Sequence, residues 1–349
     1  MAYRKAIASM SLGRAAVHDF RYKMDQAHKY GFEGLELFYE DLEKLADSYP
    51  GGAAKQENHV KAAWEIRRLC DERNIEVLCL QPFYQYEGLR DRTAHARQIE
   101  KLHFWFELCK ILNTNTIQIP SAFLSTSELT DDLNVIVADL QEVADLGLLE
   151  QPQIRFAYES LSFATYINTW EQCWNVIHLV DRPNFGACLD TFNIAARVYA
   201  DPASPTFCTP NAEADTRASM ERLLTNFDPA KLYYVQVVDA EKLTAPLVEG
   251  HEYYNAAQTP RLSWSRNCRL FYGEEDRGAY LPIRLICETI FHGLGFDGWV
   301  SMEYFNRDMA YTDPTIPEQL ARRGAEAYDK LVQDLDLPIE WVLLFHCVQ

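Results

Sequence analysis

Four polar residues stand at or near the ends of strand-like runs. Glu159 follows Ile-Arg-Phe-Ala-Tyr, Asp190 follows Gly-Ala-Cys-Leu, Gln236 sits in Leu-Tyr-Tyr-Val-Gln-Val-Val-Asp-Ala, and Glu303 nearly closes Asp-Gly-Trp-Val-Ser-Met-Glu-Tyr-Phe-Asn. If the four meet, three carboxylates share one apolar-walled site and repel each other. A divalent cation removes that conflict, and a set of three carboxylates and one carboxamide oxygen suits Mg²⁺ or Mn²⁺ better than zinc or copper. Taken singly, each residue is more readily a hydrogen-bonded strand-end group than a ligand, and Asp190 more often a helix cap or turn former. The metal reading rests on four such residues in consecutive strands, and it requires a fold that makes those strand ends converge.

The elements between them supply one. Strand-like runs occur at 5–12, 32–39, 75–82, 116–120, 154–160, 186–193, 232–240 and 297–306. Helical spacing separates them. Phe20, Met24 and Ala27 repeat every three to four residues, a Pro50-Gly51-Gly52 break precedes an amphipathic run at 56–73, and Ile99, Leu102, Phe106 and Cys109 form a third stripe. Leu133, Ile136, Leu140 and Ala144, then Trp170, Cys173, Ile177 and Val180, continue the pattern, as do 213–224, 282–292 and 317–335. Eight strands alternating with eight helices at about forty-residue spacing predict an α/β fold, a single-domain (β/α)8 TIM barrel over 5–336 with an apolar tail at 337–349. A doubly wound open sheet is the rival, but no Gly-x-Gly-x-x-Gly follows the first strand. In a barrel the C-terminal strand ends surround one mouth, so Glu159, Asp190, Gln236 and Glu303 should converge there. The connection 241–278, with Trp264, Ser265, Arg266 and Arg269, has the length of a lid or binding loop.

Composition narrows the partners. The chain has 349 residues, 48% hydrophobic and 24% charged, the balance of a folded globular protein. A net charge of −18 with no basic run disfavours nucleic acid while leaving room for a local pocket for a small anion. Nine cysteines without a Cys-x-x-Cys pair read as reduced core thiols. The N-terminus lacks an apolar leader and no run is long enough to span a membrane, so a cytoplasmic protein without membrane partners is expected. The apolar run at 341–345 suits packing on the barrel or on a second copy, which leaves a homo-oligomer open.

Several stretches together carry a resemblance: Ser9-Met10-Ser11-Leu12-Gly13, Gly34-Leu35-Glu36-Leu37-Phe38, Gln81-Pro82-Phe83, Ala157-Tyr158-Glu159, Cys188-Leu189-Asp190-Thr191-Phe192-Asn193 and Ser301-Met302-Glu303. As an ordered set they resemble the sugar phosphate isomerase/epimerase-like barrels, a xylose isomerase-like group. Within it they are most similar to 3-dehydroshikimate dehydratases of the fungal quinate-degradation type. That resemblance implies a lyase that converts 3-dehydroshikimate to protocatechuate (3,4-dihydroxybenzoate), with the family's metal ligands at Glu159, Asp190, Gln236 and Glu303. The chemistry it implies is proton abstraction next to the ketone, a metal-stabilised enolate, loss of water and aromatisation.

A small carboxylate substrate needs an anion partner. Arg90 and Arg92 after the third strand, and Arg266 and Arg269 in the long connection, are the candidates, with Arg266 and Arg269 preferred because Ser265 lies beside them. Gln81, Tyr84 and Gln118 are expected to line the pocket. The base is less defined, because Leu161 and Asn193 occupy positions where related barrels carry histidine. His95, at the start of a helix, and Glu36, near the end of the second strand, remain candidates. Their simpler roles are a surface or capping histidine and a barrel-layer carboxylate. Two other readings use the same fold. One is a sugar or keto-acid isomerase or epimerase on the same metal, the other a non-catalytic sensor of a quinate-pathway metabolite. A DNA-repair phosphodiesterase from the wider group would want a basic rim and a histidine-rich zinc site, and the sequence offers neither.

Overall fold

Alternation within each strand sorts the side chains into two compartments. In a computed structural model, which describes residues 3–338, β1 (Arg4–Ala8), β2 (Gly34–Phe38), β3 (Glu76–Gln81), β4 (Thr116–Pro120), β5 (Arg155–Glu159), β6 (Phe185–Asp190) and β7 (Leu232–Val237) are followed by a short pair, β8 (Asp239–Ala240) and β9 (Arg269–Leu270), and by β10 (Trp299–Met302). Eight of them close into an all-parallel barrel in the order β1-β10-β7-β6-β5-β4-β3-β2, and β8 and β9 pair antiparallel beside it. In β6, Phe185, Ala187 and Leu189 join the large outer core, whereas Cys188 belongs to a small inner cluster with Ala6, Cys79, Ala157 and Tyr234. The two-residue period then aims Asp190 inward, one layer above Cys188. The same alternation sends Ala157 and Glu159 of β5, and Tyr234 and Gln236 of β7, into the barrel. The strands look uniformly apolar because both faces are buried. Gly34 is needed at the lower end, where a Cβ would lie 2.4 Å from the Trp299 ring.

Around the strands run α1 (Phe20–Lys29), α2 (Tyr39–Asp47), α3 (Gln56–Asp71), α4 (Arg92–Leu112), α5 (Leu133–Leu148), α6 (Trp170–Val180), α7 (Thr191–Val198), α8 (Ala212–Asn226), α9 (Pro260–Cys268), α10 (Ile283–Glu288) and α11 (Ile316–Asp334). Among the described residues no helix is long and apolar enough to cross a membrane.

The expected architecture is present, and its departures from the expected boundaries fall at the mouth. The first strand stops at Ala8, and Ser9–Leu12 winds into a 3-10 turn. The sixth strand ends at Asp190, whose side chain accepts from the Asn193 backbone, so residues 191–193 open α7 instead of extending the strand. The seventh breaks after Val237, where the Thr191 hydroxyl donates to the Val238 carbonyl and accepts from the Val238 amide, both at 2.9 Å. An unanticipated helix, α2, starts directly after β2. The connection 241–278 is no loose polar loop: α9 lies within it, Thr259 caps that helix, and the buried Trp264 indole donates to the Glu241 carbonyl at 2.9 Å. The 282–292 helix is α10 followed by a π turn at Thr289–Gly293. The apolar run at 341–345 lies outside the described residues.

Candidate active site

Three carboxylates converge as the strand ends require. Oxygens of Glu159, Asp190 and Glu303 lie within 4.8 Å of one another, and all three residues are buried. Their protein partners are few. Arg269 places one guanidinium nitrogen 2.8 Å from Asp190 Oδ2 and 2.7 Å from Glu303 Oε2. Asn193 donates through Nδ2 to Glu159 Oε1 at 2.9 Å and to Asp190 Oδ2 at 2.8 Å, while its oxygen accepts from the Ser162 amide. Gln118 donates to Glu159 Oε2.

One guanidinium does not balance three ionised carboxylates. Burial, then the charges of Glu303 and Asp190, push the Glu159 carboxyl well above its usual range. Burial also raises Glu303, with Arg269 opposing and Asp190 adding to the rise. Burial alone would depress Arg269, but Asp190 and Glu303 hold it above its ordinary value. A hard, all-oxygen cluster short of positive charge is the chemistry of a divalent-cation site. Glu159, Asp190 and Glu303 can therefore hold a divalent metal ion.

Gln236 is present but turned differently from a ligand. Its Nε2 donates to Glu303 Oε1 and to Glu36 Oε2, both at 2.9 Å, and its oxygen faces Cys188 Sγ at 3.3 Å. A half-turn of the carboxamide is needed to present oxygen to a cation beside Glu303. Glu36 lies one layer below, fully buried, and accepts from Gln81 at 2.7 Å. Burial raises its carboxyl to about 7. It supports the floor of the site from beneath and is absent from the cavity wall.

Above the cluster opens a cavity of about 380 Å³, lined by Gln81, Tyr84, Gln118, Glu159, Ser265, Arg266, Arg269 and Glu303 together with Arg14, Glu40 and an apolar wall that includes Phe123, Phe163 and Phe305. Six of the eight residues expected to contact substrate are therefore in one place. The short β8–β9 pair brings Arg269 there by matching it to Ala240, and Ser265, one helical turn earlier, accepts from Arg269 Nε at 3.1 Å. Tyr84 is 39% exposed as a residue, yet burial raises its phenol, which lies among the charges of Glu40, Glu303 and Arg266.

The other expected residues are elsewhere. Arg90 donates to the Leu129 carbonyl at 2.7 Å and so ties two loops together. Arg92 holds Asp139 through contacts of 2.6 and 3.1 Å. His95 is buried between α4 and α5, with Nε2 2.7 Å from Glu142 and its ring against Tyr86. These three are corrections to the expected site, since helix packing or loop closure already occupies each side chain. Arg14 and Glu40 are cavity-wall residues that the sequence reading passes over. Each lies in the connection that follows its strand, Arg14 just past the 3-10 turn after β1 and Glu40 in the first turn of α2, and such connections commonly furnish site residues in barrels.

Comparison with known proteins agrees with this geometry. The profile of the xylose isomerase-like TIM barrel family matches residues 24–331. A 3-dehydroshikimate dehydratase of Neurospora crassa is 51% identical across 99% of this chain and 98% of its own length. A 3-dehydroshikimate dehydratase of Pseudomonas aeruginosa is 25% identical across 87% of this chain, which spans only 38% of that longer protein. The crystal structure of an IolI protein with a bound zinc atom shares the fold, with a TM-score of 0.67 at 16% identity over 95% of this chain and 98% of that one.

Proposed function

The chain belongs to the xylose isomerase-like TIM-barrel family, and from that premise we infer that it is a 3-dehydroshikimate dehydratase, forming protocatechuate by loss of water. The observation that carries this is the buried trio Glu159, Asp190 and Glu303, which opens through Glu159 and Glu303 onto a cavity of about 380 Å³ whose wall holds arginines. A cavity of that size takes a small ring acid. Full-length similarity to the Neurospora crassa enzyme narrows the acid to 3-dehydroshikimate.

We assign the residues as follows. Glu159, Asp190, Glu303 and the Gln236 carboxamide oxygen would hold Mg²⁺ or Mn²⁺, which supplies the positive charge that makes the hydrogen next to the ketone acidic. Asn193 and Gln118 fix the Glu159 carboxylate by hydrogen bonds, so it does not have to reorganise during turnover. Arg266, exposed in the cavity wall and without a side-chain hydrogen bond or ion pair among the described residues, receives the substrate carboxylate. Phe123, Phe163 and Phe305 cover the ring faces and exclude water.

Two cavity-wall groups outside the cluster can exchange protons with the ring. Glu40 is placed to accept the proton from the carbon beside the ketone. Tyr84, whose raised pKa keeps it protonated, is placed to donate to the departing hydroxyl. The proton taken from that carbon is matched by one given to the hydroxide, so water is released; the resulting dienone then loses a proton from the ring CH2 and gains one on the ketone oxygen, which makes the ring aromatic with no oxidant. A cytosolic setting suits the eight unpaired cysteines among the described residues.

The test is direct. Purified protein with Mg²⁺ or Mn²⁺ and 3-dehydroshikimate should generate the ultraviolet absorbance of protocatechuate, and chelator should stop it. Failure to form product with any divalent ion would overturn the assignment.

A further inference from the structure

Resting on the assignment of a ring carboxylate to this cavity, we propose that Arg14 joins Arg266 in a two-guanidinium clamp that binds that carboxylate and so points the opposite edge of the ring at the Glu159–Asp190–Glu303 floor. Three arginines line the cavity: Arg14, Arg266 and Arg269. Arg269 is committed to Asp190 and Glu303. The arginines of the surrounding loops are also occupied: Arg90 holds Leu129, Arg92 holds Asp139, and Arg307 holds Glu241 at 2.6 Å. By contrast, among the described residues neither Arg14 nor Arg266 makes a side-chain hydrogen bond or an ion pair. Two guanidiniums thus face one cavity, Arg14 half-buried beside the Glu40 charge and Arg266 exposed, and their donors are open to charge-assisted hydrogen bonds to a visiting carboxylate.

Arg14 is also held in place by its backbone. Gly13, at φ 117°, turns the chain after the 3-10 turn, with the His18 ring so close that a Cβ there would lie 2.4 Å from it. The Arg14 amide then donates to the Met309 carbonyl at 3.0 Å, which fixes the root of the side chain to the segment after β10. Burial lowers the Arg14 pKa and the Arg266 charge lowers it further, while Glu40 opposes both; these are the marks of a half-buried cation facing a like charge. The two guanidiniums come from different walls, Arg14 from the β1 connection and Arg266 from α9, and the carboxylate floor comes from β5, β6 and the end of β10. A ring with its carboxylate on one side and its ketone on the other bridges these two charge zones.

The experiment compares wild type with Arg14→Met, Arg14→Gln, Arg14→Lys and Arg266→Met. Two readouts are taken: kcat and KM on 3-dehydroshikimate, and calorimetric binding of protocatechuate against catechol, which has the same ring and hydroxyls without the carboxylate. Loss of a charge-assisted contact should lower kcat/KM and protocatechuate affinity by about 10- to 100-fold in Arg14→Met and Arg14→Gln. Catechol affinity should stay at the wild-type value, and Arg14→Lys should recover part of the loss. Wild-type preference for protocatechuate over catechol, erased in the Arg14→Met/Arg266→Met double variant, supports the clamp. Unchanged protocatechuate binding in Arg14→Met and Arg14→Gln, equal losses for both ligands, or no preference in wild type would overturn it. If wild type prefers protocatechuate yet fails to convert 3-dehydroshikimate, the dehydratase assignment falls while the clamp stands.

Discussion

Replacing Arg269 with methionine removes the only guanidinium among the described residues that is bonded to the carboxylate cluster, and leaves Asp190 and Glu303 buried without it. Those contacts are 2.8 and 2.7 Å long, and both partners are almost fully buried. Removing one member of such a buried pair costs about 3–5 kcal/mol, because the remaining charges lose their compensation. At roughly 2 cal/mol/K of unfolding entropy per residue, that corresponds to a fall of about 4–7 °C in the Tm of the metal-free protein. Methionine keeps apolar contact with Phe192 and Phe305, whose rings lie 4.3 and 5.3 Å from the guanidinium, so the loss is chiefly electrostatic. Two additions isolate the cause. A saturating divalent ion at about 100 times its Kd should restore about 2.7 kcal/mol. Adding Asp190→Asn to Arg269→Met should recover stability relative to the sum of the single changes, a coupling of about 0.5–3 kcal/mol. Thermal unfolding of the four proteins, with and without Mn²⁺, measures all of this. An Arg269→Met protein that melts with wild type without metal, and with no coupling to Asp190, would refute the view that the cluster is short of positive charge.

Asn193→Ala should weaken Mn²⁺ binding about 10- to 100-fold, read by calorimetry, because Glu159 and Asp190 lose their shared donor; unchanged affinity would remove that role. Glu40→Gln should lower kcat about 10²- to 10⁴-fold with little change in KM, and near wild-type kcat would eliminate Glu40 as proton acceptor. Burial and mutual repulsion raise Glu159 and Glu303 in the folded state above their unfolded values. The folded metal-free protein therefore binds more protons than the unfolded chain, and its stability falls as pH rises from the carboxylate range toward neutrality. Metal competes with those protons, so the Tm gain from Mn²⁺ should be larger at about pH 8 than at about pH 6; a gain independent of pH would contradict the raised carboxyls.

Asp190 shows both how far a sequence can be read and where reading stops. Its place after an apolar run is visible in the sequence, and two roles compete for it there, strand-end ligand and helix cap. The structure gives it both, since Oδ1 caps α7 while Oδ2 faces Arg269 and Asn193. The period-two pattern that sends Glu159 and Asp190 to the mouth is local and so is legible. Which arginine reaches the mouth is not. Arg90 and Arg269 both stand in connections between strands, and it takes long-range contacts, the pairing of β8 with β9 and the bonds of the Arg269 backbone to Phe305 and Asn306, to bring Arg269 to the carboxylates. His95 fails for the same reason, because its helical stripe does not say that α5 covers it with Glu142. Glu36 points inward as its strand requires, but its depth in the barrel depends on the stagger between strands, which no single strand carries.

The central claim is that Glu159, Asp190 and Glu303 hold the ion on which turnover depends. Anomalous diffraction from crystals grown with Mn²⁺, on preparations whose protocatechuate formation has been recorded, tests it most directly. One peak bounded by those three carboxylates, absent in Glu303→Gln together with activity, is the predicted result. A fully active enzyme whose Mn²⁺ peak lies elsewhere, or is missing, would contradict it.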